Sequence, residues 1–302
     1  MRRSAVFGAF VWSVSSTVAV FHRGPGWPIE RLFLLAPLVL VPLALHSIEP
    51  PDRRRALRWL QPLAALGITF SFALPSGRGA AALAAPWLGV TLLLAGRGLE
   101  RLRRRGLRDA AELAIDAGLL FVPVGAGWLV LSRLGATPLG FEEPIVLLTA
   151  VHFHYAAFTT LVLLGLAGRV ARRGPVYRTI VAAAVAGTPV LAAGITLSRP
   201  LEMAGAALLA VALLGFAGWS LFHLVPGVSD TVARGLLIAS ALVVPVSMSL
   251  ALLYAWGHAT GRAIVTLSTL ASVHGSLNAF GFGLCALLAW ARLPRHLPRP
   301  LL

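Results

Sequence analysis

Ten apolar stretches, each eighteen residues or longer, recur along this 302-residue chain, and arginine-rich loops separate many of them. That length is what a helix needs to cross a hydrocarbon layer about 30 Å thick. The stretches run over 5–22, 31–48, 59–76, 79–97, 110–132, 145–168, 179–197, 201–224, 234–256 and 264–291. They must be helices. An open strand would leave backbone groups unpaired in lipid, and a barrel would show alternating segments of about ten residues. Composition closes the soluble alternative: charged residues are 12% of the chain, about half the share in an ordinary globular domain. The predicted fold is all-α, a polytopic membrane helix bundle of about ten transmembrane helices. It forms a single integral membrane domain over 1–302, with a short basic tail at 292–302.

The net charge of +15 would suggest nucleic acid on a soluble protein. Here every basic residue is arginine, and the arginines gather between the apolar stretches, so the excess reads as an orientation signal. Of the 26, twenty lie at the termini or in the loops after even-numbered stretches, and six lie on the other side. The positive-inside rule then puts both termini in the cytoplasm. The partner this implies is the lipid bilayer of a bacterial or archaeal cell membrane, with no nucleic acid. The bulky Val20-Phe21-His22-Arg23 gives no small-residue cleavage site after the first stretch, which is read as helix one.

Ionisable groups inside a membrane are costly and mark function by default. The sixth stretch carries His152 and His154 with Tyr155 and Thr159. On a regular helix the two histidines lie roughly 200° apart, with Tyr155 and Thr159 nearer His152. The tenth stretch carries His274 and Asn278, four apart and therefore on one face. Its opposite face holds Ser268, Thr269, Ser272, Ser276, Ala279 and Gly283, a close-packing surface between helices. From the outer ends, His152, His154 and His274 lie roughly 10, 13 and 15 Å deep by helical rise. One shared layer is the expectation, with His152 favoured beside His274. The plain alternative is that these side chains only hydrogen-bond neighbouring helices.

Arg108, Glu112 and Asp116, spaced by four, read as an interfacial salt-bridge stripe, with Asp116 and Glu112 as candidates for a proton or ion relay. His46, Glu49 and His223 lie where they can snorkel to an interface. Cys285 is the single cysteine, so an intrachain disulfide is excluded. The chain has no Walker A loop, GxSxG or HExxH. Pro37, Pro42, Pro123, Pro189 and Pro245 fall within spans and can kink them.

The segments HFHYAAF and HGSLNAFGFG resemble the YndJ-like family of bacterial membrane proteins, which implies a polytopic membrane protein and is sometimes called transporter-like. His152-Phe153-His154-Tyr155 is also similar to the HFHYV segment of haem–copper oxidase subunit one, where the two histidines ligate two different haems. That resemblance covers one helix, and this chain lacks the HPEVY segment and the adjacent His-His pair. It implies at most haem or a divalent metal on His152, His154 or His274. The leading functional reading is a permease with an intramembrane His/Asn site for a small molecule or ion. A haem- or metal-binding redox protein or enzyme comes second, and a structural or assembly factor third.

The arginine distribution makes one direct prediction. Reporter fusions after Arg105 should report cytoplasm and fusions near Glu142 the outside. The reverse pattern would overturn the orientation.

Overall fold

The computed structural model describes residues 1–22, 27–50, 55–171 and 173–293. Residues 294–302 of the basic tail lie outside them, as do His296 and Arg23, Arg53, Arg54, Arg172, Arg295 and Arg299 of the orientation count. Ten helices appear where the apolar stretches lie. They are α1 (Arg2–His22), α2 (Pro28–Ile48), α3 (Leu57–Ala73), α4 (Arg78–Arg105), α5 (Ala110–Leu134), α6 (Ile145–Val170), α7 (Pro175–Leu197), α8 (Arg199–Gly227), α9 (Thr231–Thr260) and α10 (Leu267–Arg292). No strand is present among the described residues. Eight of the ten are long and apolar enough to cross a membrane, the exceptions being α1 and α3.

Within the integral membrane domain the packing forms two compact units. The first holds Met1–Arg104 and Asp116–Thr159, and the second holds Arg105–Ile115 and Thr160–Leu302. In both, apolar side chains point outward as well as inward. Val6, Phe10, Leu63, Phe70, Val211 and Val246 are exposed, while Phe33, Phe72, Trp87 and Tyr177 are buried. A helix that is apolar all round belongs in lipid.

Four helices widen into π turns. The segments are Ala36–Leu40 in α2, Phe153–Thr159 in α6, Ser220–Leu224 in α8, and both Leu270–His274 and Leu277–Leu284 in α10. In α2 a proline leaves one carbonyl of the π turn without a helical donor. The Val41 N–H bonds Ala36 O, five residues back. In that register the next donor, at Pro42, does not exist. The Pro37 carbonyl is met instead by Gln61 of α3, whose Nε2 donates at 2.6 Å. Pro123, Pro189 and Pro245 sit inside helices that continue through them.

Helix ends are closed by side chains as well. In the first unit Arg133 of α5 is buried against the end of α3. Its Nη2 donates to Leu74 O at 2.8 Å and to Ser71 O at 3.2 Å, and its guanidinium lies 4.9 Å over the Phe72 ring. These carbonyls close the helix: Ser71 O also accepts from Leu74 N at 3.2 Å, and Arg133 adds a donor to it and to Leu74 O. In the second unit Asp230 caps α9, accepting from Ala233 N at 2.8 Å. The hydrogen bond from Arg292, and then that from Ala233, holds its carboxyl below the usual carboxylate range.

Close approach of helices falls on glycines. A Cβ at Gly8 would lie 1.9 Å from Leu38 O, and one at Gly194 would lie 2.2 Å from Glu202 N. Small residues at such crossings let backbones meet.

Arg133→Met should therefore destabilise the protein by about 1–3 kcal/mol, the cost of losing the donors to Leu74 O and Ser71 O at the end of α3. Arg133→Lys should fall between, because an ammonium lacks the planar fork. Unfolding in mixed micelles measures both. Equal stability of Arg133→Met and the parent would refute the role.

Candidate functional site

Each histidine helix carries a polar centre built from partners within its own unit.

In the first unit His154 lies on the π turn of α6 and is fully buried. Trp87 of α4, equally buried, donates its indole N–H to His154 Nε2 at 3.0 Å. Indole nitrogen is a donor only, so Nε2 is the accepting nitrogen. Nδ1 then carries the proton and donates to Ala150 O at 2.8 Å. The Phe33 ring stands edge-on to the imidazole, with centroids 4.9 Å apart. Gly125 of α5 leaves the space, since a Cβ there would come 2.7 Å from His154 Nδ1. Tyr155 donates to Leu32 O at 2.7 Å, and Thr159 donates to His154 O at 2.8 Å.

A regular-helix projection groups Tyr155 and Thr159 with His152. The π turn changes that phase, and Thr159 closes on His154, five residues back. His152 itself, the last residue before the π turn, is half-buried beside the Phe153 ring.

In the second unit His274 ends the first π segment of α10, and Asn278 lies in the second. Both are half-buried, and the residue that joins them is Ser247 of α9, which is fully buried. His274 Nδ1 lies 2.9 Å from Ser247 O and 3.0 Å from Ser247 Oγ. A carbonyl only accepts, so Nδ1 carries the proton here too. Nε2 then accepts from Asn278 Nδ2 at 3.2 Å. The same amide nitrogen lies 2.6 Å from Ser247 Oγ and 2.9 Å from His274 O. These acceptors fix the orientation of the amide. Gly281 permits the contact, for a Cβ there would meet Val243 of α9 at 2.9 Å.

Along the opposite face of α10, Ser268, Thr269 and Ser272 are exposed while Ala279 and Gly283 are buried. The close-packing surface expected there is thus covered only in its second half. The exposed Ser272 hydroxyl donates to Ser268 O, four residues back, at 2.7 Å. Ser247 and Trp87 belong to no motif, and nothing in their immediate sequence marks either as a histidine partner. Ser240 and Ser247 share the buried face of α9 seven residues apart, and Ser240 donates to Phe282 O at 2.9 Å. That spacing is the one signal the sequence carries for Ser247.

The acidic stripe of α5 needs correction. The helix starts at Ala110, capped by Asp109, and Arg108 lies before it, exposed. In the second unit Glu112 pairs with Arg105 and, through two bonds of 2.7 and 3.0 Å, with Arg169. In the first unit Asp116, 1% exposed, pairs with Arg101 at 2.5 Å, and Glu49 lies 4.0 Å from the same arginine. Glu49 is buried, where its position in the sequence predicts an interfacial side chain. His223 is exposed and stacks on Trp219, with ring centroids 5.6 Å apart. His258 meets Glu202 at 2.8 Å.

Neither His154 nor His274 leaves a ring nitrogen open to a metal or a haem iron. Among the described residues no group of three or more His, Cys, Asp or Glu side chains is placed to hold a metal ion. These two engaged imidazoles therefore do not fit either group.

Trp87→Phe should remove the donor to His154 Nε2 with little change in packing. It should cost about 1–3 kcal/mol, because the imidazole is left buried with an unmet acceptor. Denaturation in mixed micelles measures this, and an unchanged midpoint would show that the indole N–H does not hold His154.

Residues 31–282 match the family model described as YndJ-like protein. The chain is 26% identical over 270 residues to the uncharacterized membrane protein YndJ of Bacillus subtilis (strain 168). The alignment covers 86% of this chain and 48% of that relative, so the chain spans about half the length of the relative. No solved structure matches it. The family match runs through both polar centres and across most of the chain: this multi-pass membrane protein belongs to the YndJ-like family.

Proposed function

We propose that this YndJ-like membrane protein is a permease whose solute path runs along α10, with Ser247, His274 and Asn278 as its polar site. One observation carries the reading. Of the eight candidate spans, α10 is the least apolar and the least covered by the rest of the chain. Its uncovered part presents Ser268, Thr269 and Ser272 on one face, and His274 and Asn278 are half-buried on the opposite one. A helix that faced lipid at these positions would carry apolar side chains, as α9 does at Leu242 and Val246. The two π segments that bracket the site support the same reading, since π turns are frequent at functional sites. The first unit offers no comparable opening, because His154 is fully buried with both ring nitrogens engaged.

A structural role is the second reading. The Ser247–His274–Asn278 bonds also tie α9 to α10, and such ties are worth about 0.6 kcal/mol each in membranes.

Cysteine labelling separates the two. With Cys285→Ala as background, Ser268→Cys and Ser272→Cys should react with a charged, water-soluble maleimide in intact cells or inside-out vesicles. Val246→Cys, facing lipid, should stay silent. Silence at Ser268 and Ser272 as complete as at Val246 would refute the water-accessible path.

A further inference from the structure

The hydrogen bonds at the α10 site fix which solutes it can receive; this inference rests on the permease reading. The imidazole proton of His274 is turned to Ser247 O, and its Nε2 lone pair to Asn278. The two N–H groups of the Asn278 amide have three acceptors in reach, His274 O, Ser247 Oγ and His274 Nε2, so neither is spare. Ser247 is fully buried and presents nothing outward. One polar atom of the cluster remains. Asn278 Oδ1 has no hydrogen-bond partner among the described residues, and the side chain that carries it is half-buried.

We infer that the Ser247–His274–Asn278 site binds solutes that donate hydrogen bonds, either cationic ammonium groups or neutral hydroxyl or amide groups, and rejects anions. The nitrogen donors of the cluster are spent internally, the Ser247 hydroxyl is fully buried, and a carbonyl oxygen is what it shows. An anion there would meet a lone pair with no proton between them, and it would leave its own water shell uncompensated. A primary ammonium brings three donors and a charge that strengthens the bond to a carboxamide oxygen. No histidine proton is free to reverse this preference while Nδ1 faces a carbonyl.

The test uses the purified full chain in nanodiscs with three small probes: ethylammonium chloride, glycerol and sodium acetate, each against sodium chloride at equal ionic strength. Ethylammonium and glycerol should raise the thermal midpoint, and acetate should not. Asn278→Leu should abolish both shifts, and Asn278→Asp should tighten ethylammonium about tenfold, as a charged acceptor does. Stabilisation by acetate that Asn278→Leu removes would overturn the inference. So would ethylammonium and glycerol binding that Asn278→Leu leaves unchanged, or the absence of any shift with either. If both variants fail to fold, the contrast between ethylammonium and acetate on the parent protein still decides. Binding of ethylammonium without flux into vesicles would keep the inference and sink the permease reading. A change of oligomeric state in Asn278→Leu, with no probe bound by the parent, would assign Oδ1 to a neighbouring chain and overturn the inference.

Discussion

A carbonyl that loses its helical N–H inside hydrocarbon has no water to turn to. That constraint organises both units of this protein. Pro42 deprives Pro37 O of a donor, and Gln61 is brought in from the next helix to replace it. At the end of α3, Arg133 supplies a guanidinium fork to Leu74 O and to Ser71 O, which also accepts from Leu74 N. Gln61 shows the limit of the solution, because its own Oε1 is left buried without a hydrogen-bond partner among the described residues. Each side chain placed in this way fixes the neighbour from which it comes, so backbone satisfaction doubles as helix packing.

The histidines follow the same logic. In His154 and in His274 the Nδ1 proton goes to a backbone carbonyl and the Nε2 lone pair takes a side-chain N–H. Both rings are neutral connectors. What differs is cover. Trp87 and Phe33 close over His154, while His274 and Asn278 are only half-buried. Chemistry of the same kind is therefore sealed in one unit and accessible in the other.

The helices could be read from the chain because lipid imposes length and apolarity residue by residue. All ten stretches became helices near the expected bounds, except that α4 runs on past the expected end at 97 to Arg105. His274 and Asn278 were legible as a pair because a four-residue spacing survives on either helix type as a near neighbour. Three things were hidden. Ser247 and Trp87 are single residues in apolar helices, and only the tertiary fold brings them to the histidines. The grouping around His154 depended on a π turn that no residue pattern announced, so a regular projection attached Thr159 to the wrong imidazole. The partners of Glu112 and Asp116 lie on other segments, Arg169 and Arg101, and spacing along α5 pointed instead to Arg108. Position along one helix was readable; phase after a π turn and partners across helices were not.

The π turns also bear on how these spans can change over generations. A π turn accommodates one residue more than the regular helix on either side of it. Removing a single residue within Phe153–Thr159 or Leu277–Leu284 would let the turn relax to the regular winding, and the residues beyond it would keep their facing. Elsewhere in a span the same deletion would rotate everything downstream by about 100° and turn buried faces to lipid. Length variation inside the membrane is thus tolerable at a few defined places, and the two histidine centres sit on them.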